Sequence, residues 1–302
     1  MLHAYPPAKV NLTLAVGPRA SDGFHPLRSV FARLALADEL AVELAPPDAA
    51  GDQLTVEGDF PCPVEGNLVL RAFALLRGAV GQPLPALRAR LVKHVPLAAG
   101  LAGGSSDGAA ALELAARAWG VGLAPAVMQE LAVELGSDVA FFAHGASVAL
   151  VEGRGERVTP LPAPKGSAGV LLRLSDEPLA TARVYDAFDR LAVESSMAAE
   201  STAGLVARLR AGIHSEGLAE LAGQLRAAND LWPAAADLMP TLVEARQRLE
   251  QSTGQPWLMS GSGPTLFALY PSFEQARRDE QRLSDERLLV TSLATTAARG
   301  AT

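Results

Sequence analysis

Apolar and polar positions alternate across residues 8–16, with Val10, Leu12, Leu14 and Val16 on one side and Lys9, Asn11 and Thr13 on the other. This is the period of a half-buried strand, and it places Lys9 and Asn11 on one polar face. The period becomes helical at 67–79, where Asn67 is suited to cap and Leu68, Ala72, Phe73 and Leu76 recur on one side. A second helix is predicted over 106–119, with Leu112, Ala115, Ala116 and Trp119 on one face and Ser105 or Ser106 as its N-cap. A third runs over 125–135, between Pro125 at a first helical position and Gly136 as a stop. With strand-like runs near 28–44, 86–93 and 146–152, the first half reads as an α+β layer domain.

From Gly153 to Gly169 the chain is rich in turn residues, including Pro160, Pro162 and Pro164, and reads as a connection between domains spanning 1–158 and 159–302. Beyond it the pattern resets. A strand is predicted at 170–174, helical periodicity over 181–250, short strands near 257–260, 264–270 and 287–293, and a helix at 272–283. The small, polar stretch from Ser195 to Gly204 reads as a mobile loop. No repeat of solenoid length is visible.

Composition narrows the function. The hydrophobic fraction of 49% is driven by alanine, and no charge-free apolar stretch approaches the ~20 residues needed to span a bilayer. The N-terminus lacks the basic start and apolar core of a signal peptide, so a cytoplasmic location is expected. Cys62 has no cysteine to pair with, and the scattered histidines show no metal-ligand spacing. A net charge of −7 without a Lys/Arg block gives no support for nucleic-acid binding and favours small-molecule partners. The basic residues are nearly all Arg; the lysines are Lys9, Lys93 and Lys165. A lysine kept in such a chain suggests a site needing a compact, mobile ammonium.

The densest chemistry lies at Pro96-Leu97-Ala98-Ala99-Gly100-Leu101-Ala102-Gly103-Gly104-Ser105-Ser106-Asp107, a glycine-rich turn running into a helix. Unpaired amides and the positive dipole end make such a helix start a phosphate site, and a serine hydroxyl there can reach a phosphate or its magnesium. The Walker A string, the Gly-x-Gly-x-x-Gly fingerprint and the protein-kinase set are absent. A kinase here must have another build.

Five segments, in order, resemble the GHMP kinase superfamily and, within it, the kinases of 4-diphosphocytidyl-2-C-methyl-D-erythritol. They are Ala8-Lys9-Val10-Asn11-Leu12, Asp22-Gly23-Phe24-His25, Gly100 to Asp107, Gly136-Ser137-Asp138-Val139-Ala140-Phe141-Phe142, and Ser260-Gly261-Ser262-Gly263-Pro264-Thr265. The resemblance implies a two-domain α+β GHMP kinase fold, with an N-terminal ribosomal protein S5 domain 2-like domain and a C-terminal ferredoxin-like domain. It also implies transfer of the ATP γ-phosphoryl to the 2-hydroxyl of that cytidylyl polyol, with Mg2+, on the non-mevalonate route to isoprenoid precursors. A homodimer is compatible with it.

By the same resemblance, Asp138 is the catalytic aspartate acting as general base, and Lys9 is the lysine that keeps it ionised and offsets charge on the transferring group. Helix capping by Asp138 and an exposed strand position for Lys9 are the plain alternatives. Pro96 to Ser106 would hold ATP, with Asn67 and Lys93 lining the nucleotide pocket. Asn11 would contact the acceptor, and Phe24 and His25 would hold its cytosine by stacking and hydrogen bonds. Thr181 suits both substrate contact and helix capping. The metal ligands are not named by the motifs. Three residues depart from the family pattern: Phe24 for Tyr, Ala102 for a loop glycine, and Ala140 for Pro. An alanine at 102 fits without strain only at negative φ.

Two rival readings remain open on sequence: another GHMP kinase acting on homoserine, mevalonate or a sugar, and a serine amidohydrolase in which Lys93 activates Ser105 or Ser106.

Overall fold

The computed structural model describes residues 1–191, 196–283 and 287–294. Its first half runs β1 (Leu2–Ala4), β2 (Pro7–Val16), β3 (Leu27–Ala37), β4 (Glu39–Leu44), β5 (Gln53–Gly58), α1 (Leu68–Val80), β6 (Leu87–Lys93), α2 (Gly103–Ala118), α3 (Pro125–Leu135), α4 (Val139–His144), β7 (Val148–Gly153) and β8 (Arg157–Leu161). The strands form two four-stranded sheets, ordered β1-β4-β6-β5 and β2-β3-β7-β8. All neighbours are antiparallel except β5 and β6, which are parallel. Helices α1, α2 and α3 bury the apolar stripes seen in sequence, with Val69, Phe73 and Leu76 meeting Leu112, Ala115, Leu131 and Leu135 in one core. Asn67 caps α1 as expected, accepting from the Val69 amide at 2.9 Å, and Gly136 stops α3.

Strand β2 differs from its reading. Alternation predicts one solvated face, yet Lys9, Asn11 and Thr13 are 3%, 4% and 1% exposed. The polar face is covered at one end by the glycine-rich loop, where the Lys9 amide donates to the Leu101 carbonyl at 3.0 Å. At the other end the Thr202 hydroxyl donates to that of Thr13 at 2.9 Å. A polar face buried this way requires that every group on it find a partner.

The second half continues with β9 (Gly169–Arg173), α5 (Thr181–Leu191), α6 (Ser196–Ala211), α7 (Ser215–Glu220), α8 (Ala222–Leu225), α9 (Trp232–Leu238), α10 (Pro240–Thr253), β10 (Trp257–Met259), β11 (Leu266–Tyr270), α11 (Phe273–Arg282) and β12 (Leu288–Ser292). Its sheet is ordered β10-β11-β9-β12 with every neighbour antiparallel, the split βαβ arrangement of ferredoxin-like domains. Leu171, Val184, Phe188, Leu242, Trp257 and Tyr270 lie in its core. The two-domain α+β expectation holds.

Two local expectations do not. The supposed loop over 195–204 is helix from Ser196 onward, Ser195 itself lying outside the described residues. Ala198, Thr202, Leu205, Val206 and Leu209 are buried at helical spacing, a stripe weakly visible because its first members are small. The turn-rich passage after Gly153 contains β8, which pairs with β7 at the sheet edge, where Pro160 costs no ladder bond. The change of sheet therefore falls between Leu161 and Gly169, a few residues past 158.

The halves are stitched through β2. The Leu14 amide donates to the Ala228 carbonyl at 2.6 Å, the Asp230 amide to the Leu14 carbonyl at 2.9 Å, and the Val16 amide to Asp230 Oδ2 at 2.9 Å.

Candidate active site

The glycine-rich turn, β2, the start of α4 and the start of α5 converge on a cleft of about 610 Å3. Helix α2 begins at Gly103, earlier than predicted, and its cap position is Ala102 with no side-chain cap bond. Ser105 and Ser106 thus lie inside the first turn and cap nothing. The amides of Gly103, Gly104 and Ser105 precede the first position able to bond within the helix and are left for a ligand. Ala102 takes φ +55°, ψ +31°, the left-handed region, so the alanine is accommodated with strain rather than at negative φ; Ala98 has φ +50°. The helix must start abruptly after the turn, and this geometry forces the alanine into a conformation a glycine would adopt freely.

Pro96, Leu97, Ala98, Ala99, Gly100, Ala102, Gly103, Gly104 and Ser105 all line the cleft. Leu101 instead packs in the core, fully buried. Ser106 is 2% exposed and lines a different cavity. A Cβ on Gly104 would meet nothing, whereas one on Gly100 would run into the Ser260 carbonyl. The Gly100 carbonyl accepts from the Ser260 hydroxyl at 2.9 Å and from Lys9 Nζ at 3.2 Å, so the late glycine motif holds the loop from the second domain.

Lys9 is the floor of the cleft. Its Nζ donates to Asn11 Oδ1 at 2.7 Å, lies 3.5 Å from Asp138 Oδ2, and sits 4.8 Å over the Phe31 ring. Burial pushes its pKa below the ordinary lysine value, with the Asp138 charge opposing that fall. Asn11 is oriented from both ends, its Nδ2 donating to Ser29 Oγ at 2.9 Å. Asp138 occupies the N-cap position of α4 yet makes no cap bond, so the capping alternative fails; its side chain remains 29% exposed beside Lys9.

At the other end Phe24 is 56% exposed, with the Arg154 guanidinium 4.4 Å from its ring centre and paired to Asp22. His25 is 8% exposed. Its Nδ1 lies 2.9 Å from the Gly17 carbonyl, and its Nε2 lies 3.2 Å from Asp189 Oδ1 but makes no hydrogen bond. Its ring packs against Tyr185 and Phe188. Thr181 begins α5 and its hydroxyl meets that of Ser262 at 2.9 Å. Tyr185, Asp189 and Arg154 were not singled out by the motifs. Thr181, Tyr185 and Asp189 follow at steps of four, one face of a helix, which is the signal that could have found them. Arg154 lies in a glycine-flanked turn with no such signal. Burial, then the Asp138 charge, raises the Tyr185 hydroxyl pKa to about 12.

Asn67 is not among the cleft-lining residues; its Oδ1 serves as the α1 cap. Lys93 touches the cleft, but its Nζ is bonded to Asp38 and, at 2.7 Å, to Asp107. Asp38 in turn accepts from the His94 and Val95 amides, bracing the strand end that leads into the loop. Burial works against the Lys93 ammonium, but the two carboxylates outweigh it and raise its pKa. Desolvation drives Asp107 up to about 7, against the pull of Lys93. No hydrogen bond joins Lys93 to Ser105 or Ser106 among the described residues, and Ser106 Oγ has no partner. The amidohydrolase reading has no activated serine. No cluster of three metal-ligating side chains occurs among the described residues.

Residues 67–146 match the GHMP kinases N terminal domain, and residues 209–287 match the GHMP kinases C terminal domain. A 4-diphosphocytidyl-2-C-methyl-D-erythritol kinase from Pelotomaculum thermopropionicum is 40% identical over 94% of this chain and 95% of its own length. One from Salinispora tropica is 38% identical over 92% of this chain and 86% of its own. A crystal structure of 4-(cytidine 5'-diphospho)-2C-methyl-D-erythritol kinase superposes with a TM-score of 0.75 and 32% identity, covering 97% of this chain and 99% of that one. On its two matched domains and these near-full-length relatives, the chain belongs to the GHMP kinases, in the family of the 4-diphosphocytidyl-2-C-methyl-D-erythritol kinases.

Proposed function

We propose that this chain transfers the γ-phosphoryl group of ATP to the 2-hydroxyl of 4-diphosphocytidyl-2-C-methyl-D-erythritol, in the non-mevalonate supply of isoprenoid precursors. The observation that carries this reading is the Lys9–Asp138 pair on the floor of one cleft, with a phosphate-suited helix start on one side and the exposed Phe24 ring on the other.

The free amides of Gly103, Gly104 and Ser105 receive the phosphates, and Gly104 leaves them room. The acceptor hydroxyl gives its proton to an Asp138 carboxylate oxygen as its own oxygen bonds to the γ-phosphorus and the bond to ADP breaks. Lys9 faces that carboxylate at 3.5 Å and the charge that develops on the phosphoryl oxygens. Asn11 locks the Lys9 ammonium in place. The Phe24 ring stacks on the cytosine with its open face; His25, anchored through Nδ1 at the Gly17 carbonyl and with Nε2 making no hydrogen bond, supports Tyr185 and the stacking wall. Cleft-lining Ser105, an oxygen donor of the kind magnesium accepts, would hold Mg2+ together with the nucleotide's phosphates. The ion would neutralise charge on the phosphates.

The test is ADP release from ATP and Mg2+ with the cytidylyl substrate, the same polyol phosphate lacking the cytidylyl group, homoserine and mevalonate. Turnover only with the cytidylyl substrate supports the proposal. Preference for another acceptor keeps the phosphoryl transfer and overturns the substrate.

A further inference from the structure

A second cavity, of about 330 Å3, runs along another face of α2 and shares no lining residue with the cleft. Its inner wall holds Arg33, 3% exposed. Nη2 of Arg33 donates to the carbonyls of Phe142 at 2.6 Å and Phe141 at 3.3 Å, and the guanidinium lies 5.3 and 5.5 Å from the Phe141 and Phe142 ring centres. These contacts fix the plane of the group but use one of its three nitrogens. Nε has no hydrogen-bond partner, and no carboxylate lies within ion-pair range of Arg33 among the described residues. Burial lowers its pKa to about 10, which leaves it a cation at neutral pH. Ser106, 2% exposed, also lines the cavity, and its hydroxyl is equally unpartnered.

The remaining inner surface is mostly apolar, from Pro6, Pro7, Ala109 and Met128, with the Gln129 side-chain amide donating to the Ala140 carbonyl at 3.2 Å. Tyr5, 64% exposed, and the exposed Glu113 also line the cavity and mark its solvent side. A guanidinium without a carboxylate partner in the wall of a cavity is a donor group that a carboxylate accepts from, at a strength neutral acceptors do not match. The volume lies at the small end of ligand pockets. The Glu113 carboxylate disfavours anions of higher charge, which separates a carboxylate from a phosphate.

We propose that this cavity is a binding site for a small monocarboxylate with an apolar body, its carboxylate held by the Arg33 guanidinium and its body by Pro6, Pro7, Ala109 and Met128. The site is separate from the kinase cleft and does not depend on which acceptor that cleft takes.

Phenylacetate and its neutral counterpart phenylacetamide are suitable probes, titrated calorimetrically into the full chain with the cleft filled by a non-hydrolysable ATP analogue and Mg2+. Phenylacetate is expected to bind with a Kd of ~0.1–1 mM. Phenylacetamide is expected to bind about ten-fold more weakly or not at all. Arg33→Gln should erase that difference. Ala110→Phe, which leaves Arg33 in place and fills the cavity, should abolish binding of both. Equal affinity for the two probes, phenylacetate binding that survives Ala110→Phe, or no phenylacetate binding below ~10 mM would each overturn the proposal. If Arg33→Gln does not fold, the probe pair on the unaltered chain and the Ala110→Phe variant still decide.

Discussion

Lys9 Nζ stands 3.5 Å from Asp138 Oδ2, a separation at which charge acts more than a tight hydrogen bond, while its shortest bond, 2.7 Å, runs to Asn11 Oδ1. The arrangement leaves the Asp138 oxygens available to a hydroxyl proton. Asp138→Asn removes base and charge with little change of volume. Turnover should fall by roughly 10²–10⁴ while ATP affinity stays within a few-fold. Because the Asp138 charge opposes the fall in the Lys9 pKa, the same variant should titrate Lys9 lower still, read by NMR of its ε-methylene. Undiminished turnover in the folded variant would exclude the assigned role.

Phe24→Ala should weaken the cytidylyl acceptor by roughly 5- to 150-fold, the equivalent of ~1–3 kcal/mol of base stacking, and leave ATP affinity unchanged. Measuring both dissociation constants on one preparation checks this; parallel losses would reject the stacking role.

Gly104 separates loop chemistry from loop stability. Nothing lies near the position of its missing Cβ, and alanine is the better helix former, so Gly104→Ala should hold or slightly raise the denaturation midpoint. The added methyl enters the space assigned to phosphate, and ATP should bind at least about ten-fold more weakly. Normal ATP affinity in this variant would move the phosphates elsewhere.

Ala102 is the reverse case. Its left-handed conformation costs an alanine ~1–2 kcal/mol, partly offset by the greater unfolded-state freedom of glycine. Ala102→Gly should therefore stabilise the protein by roughly 0.5–1 kcal/mol in urea unfolding. A clear loss of stability would mean that the alanine methyl contributes packing the geometry does not reveal.

Much of this site is readable from residue order alone, and the parts that are not have physical reasons. The loop announces itself because phosphate binding demands glycines and free amides at a helix start, whereas Lys9 and Asp138, far apart in the chain, are legible only through the family resemblance of the segments that hold them. The depth of β2 is not legible, since alternation tells which residues share a face but not that Thr202 and the loop cover it. Asn67 is drawn off the cleft to cap its own helix start, while Lys93 does line the cleft but is held there by Asp38, a pairing that leaves no local trace in the sequence. Helix α6 escapes because alanine and threonine carry a faint hydrophobic period.

Asp107 gives the fold a pH dependence. Its pKa rises from 3.8 to about 7, mainly through burial, so the folded state holds a proton there that the unfolded chain releases. The stability from the protonated carboxyl is present below pH 3.8 and is lost as pH rises through about 7. Asp107→Asn cannot titrate. Relative to it, the unaltered chain should lose up to ~1.4 kcal/mol per pH unit across that window. Denaturant midpoints of both proteins from pH 4 to 7 measure this, and parallel curves would refute it.

The contact between the Asn11 amide and the Ser260 hydroxyl at 3.4 Å spans 249 positions of the chain. A ribosome adding ~5–20 residues per second makes Lys9 and Asn11 roughly 10–50 s before Ser260 exists. Through that interval the nascent first half carries its phosphate loop without the hydroxyl that holds the Gly100 carbonyl. Completion of the catalytic cleft is thereby tied to the end of translation, and an unfinished chain gains no finished kinase.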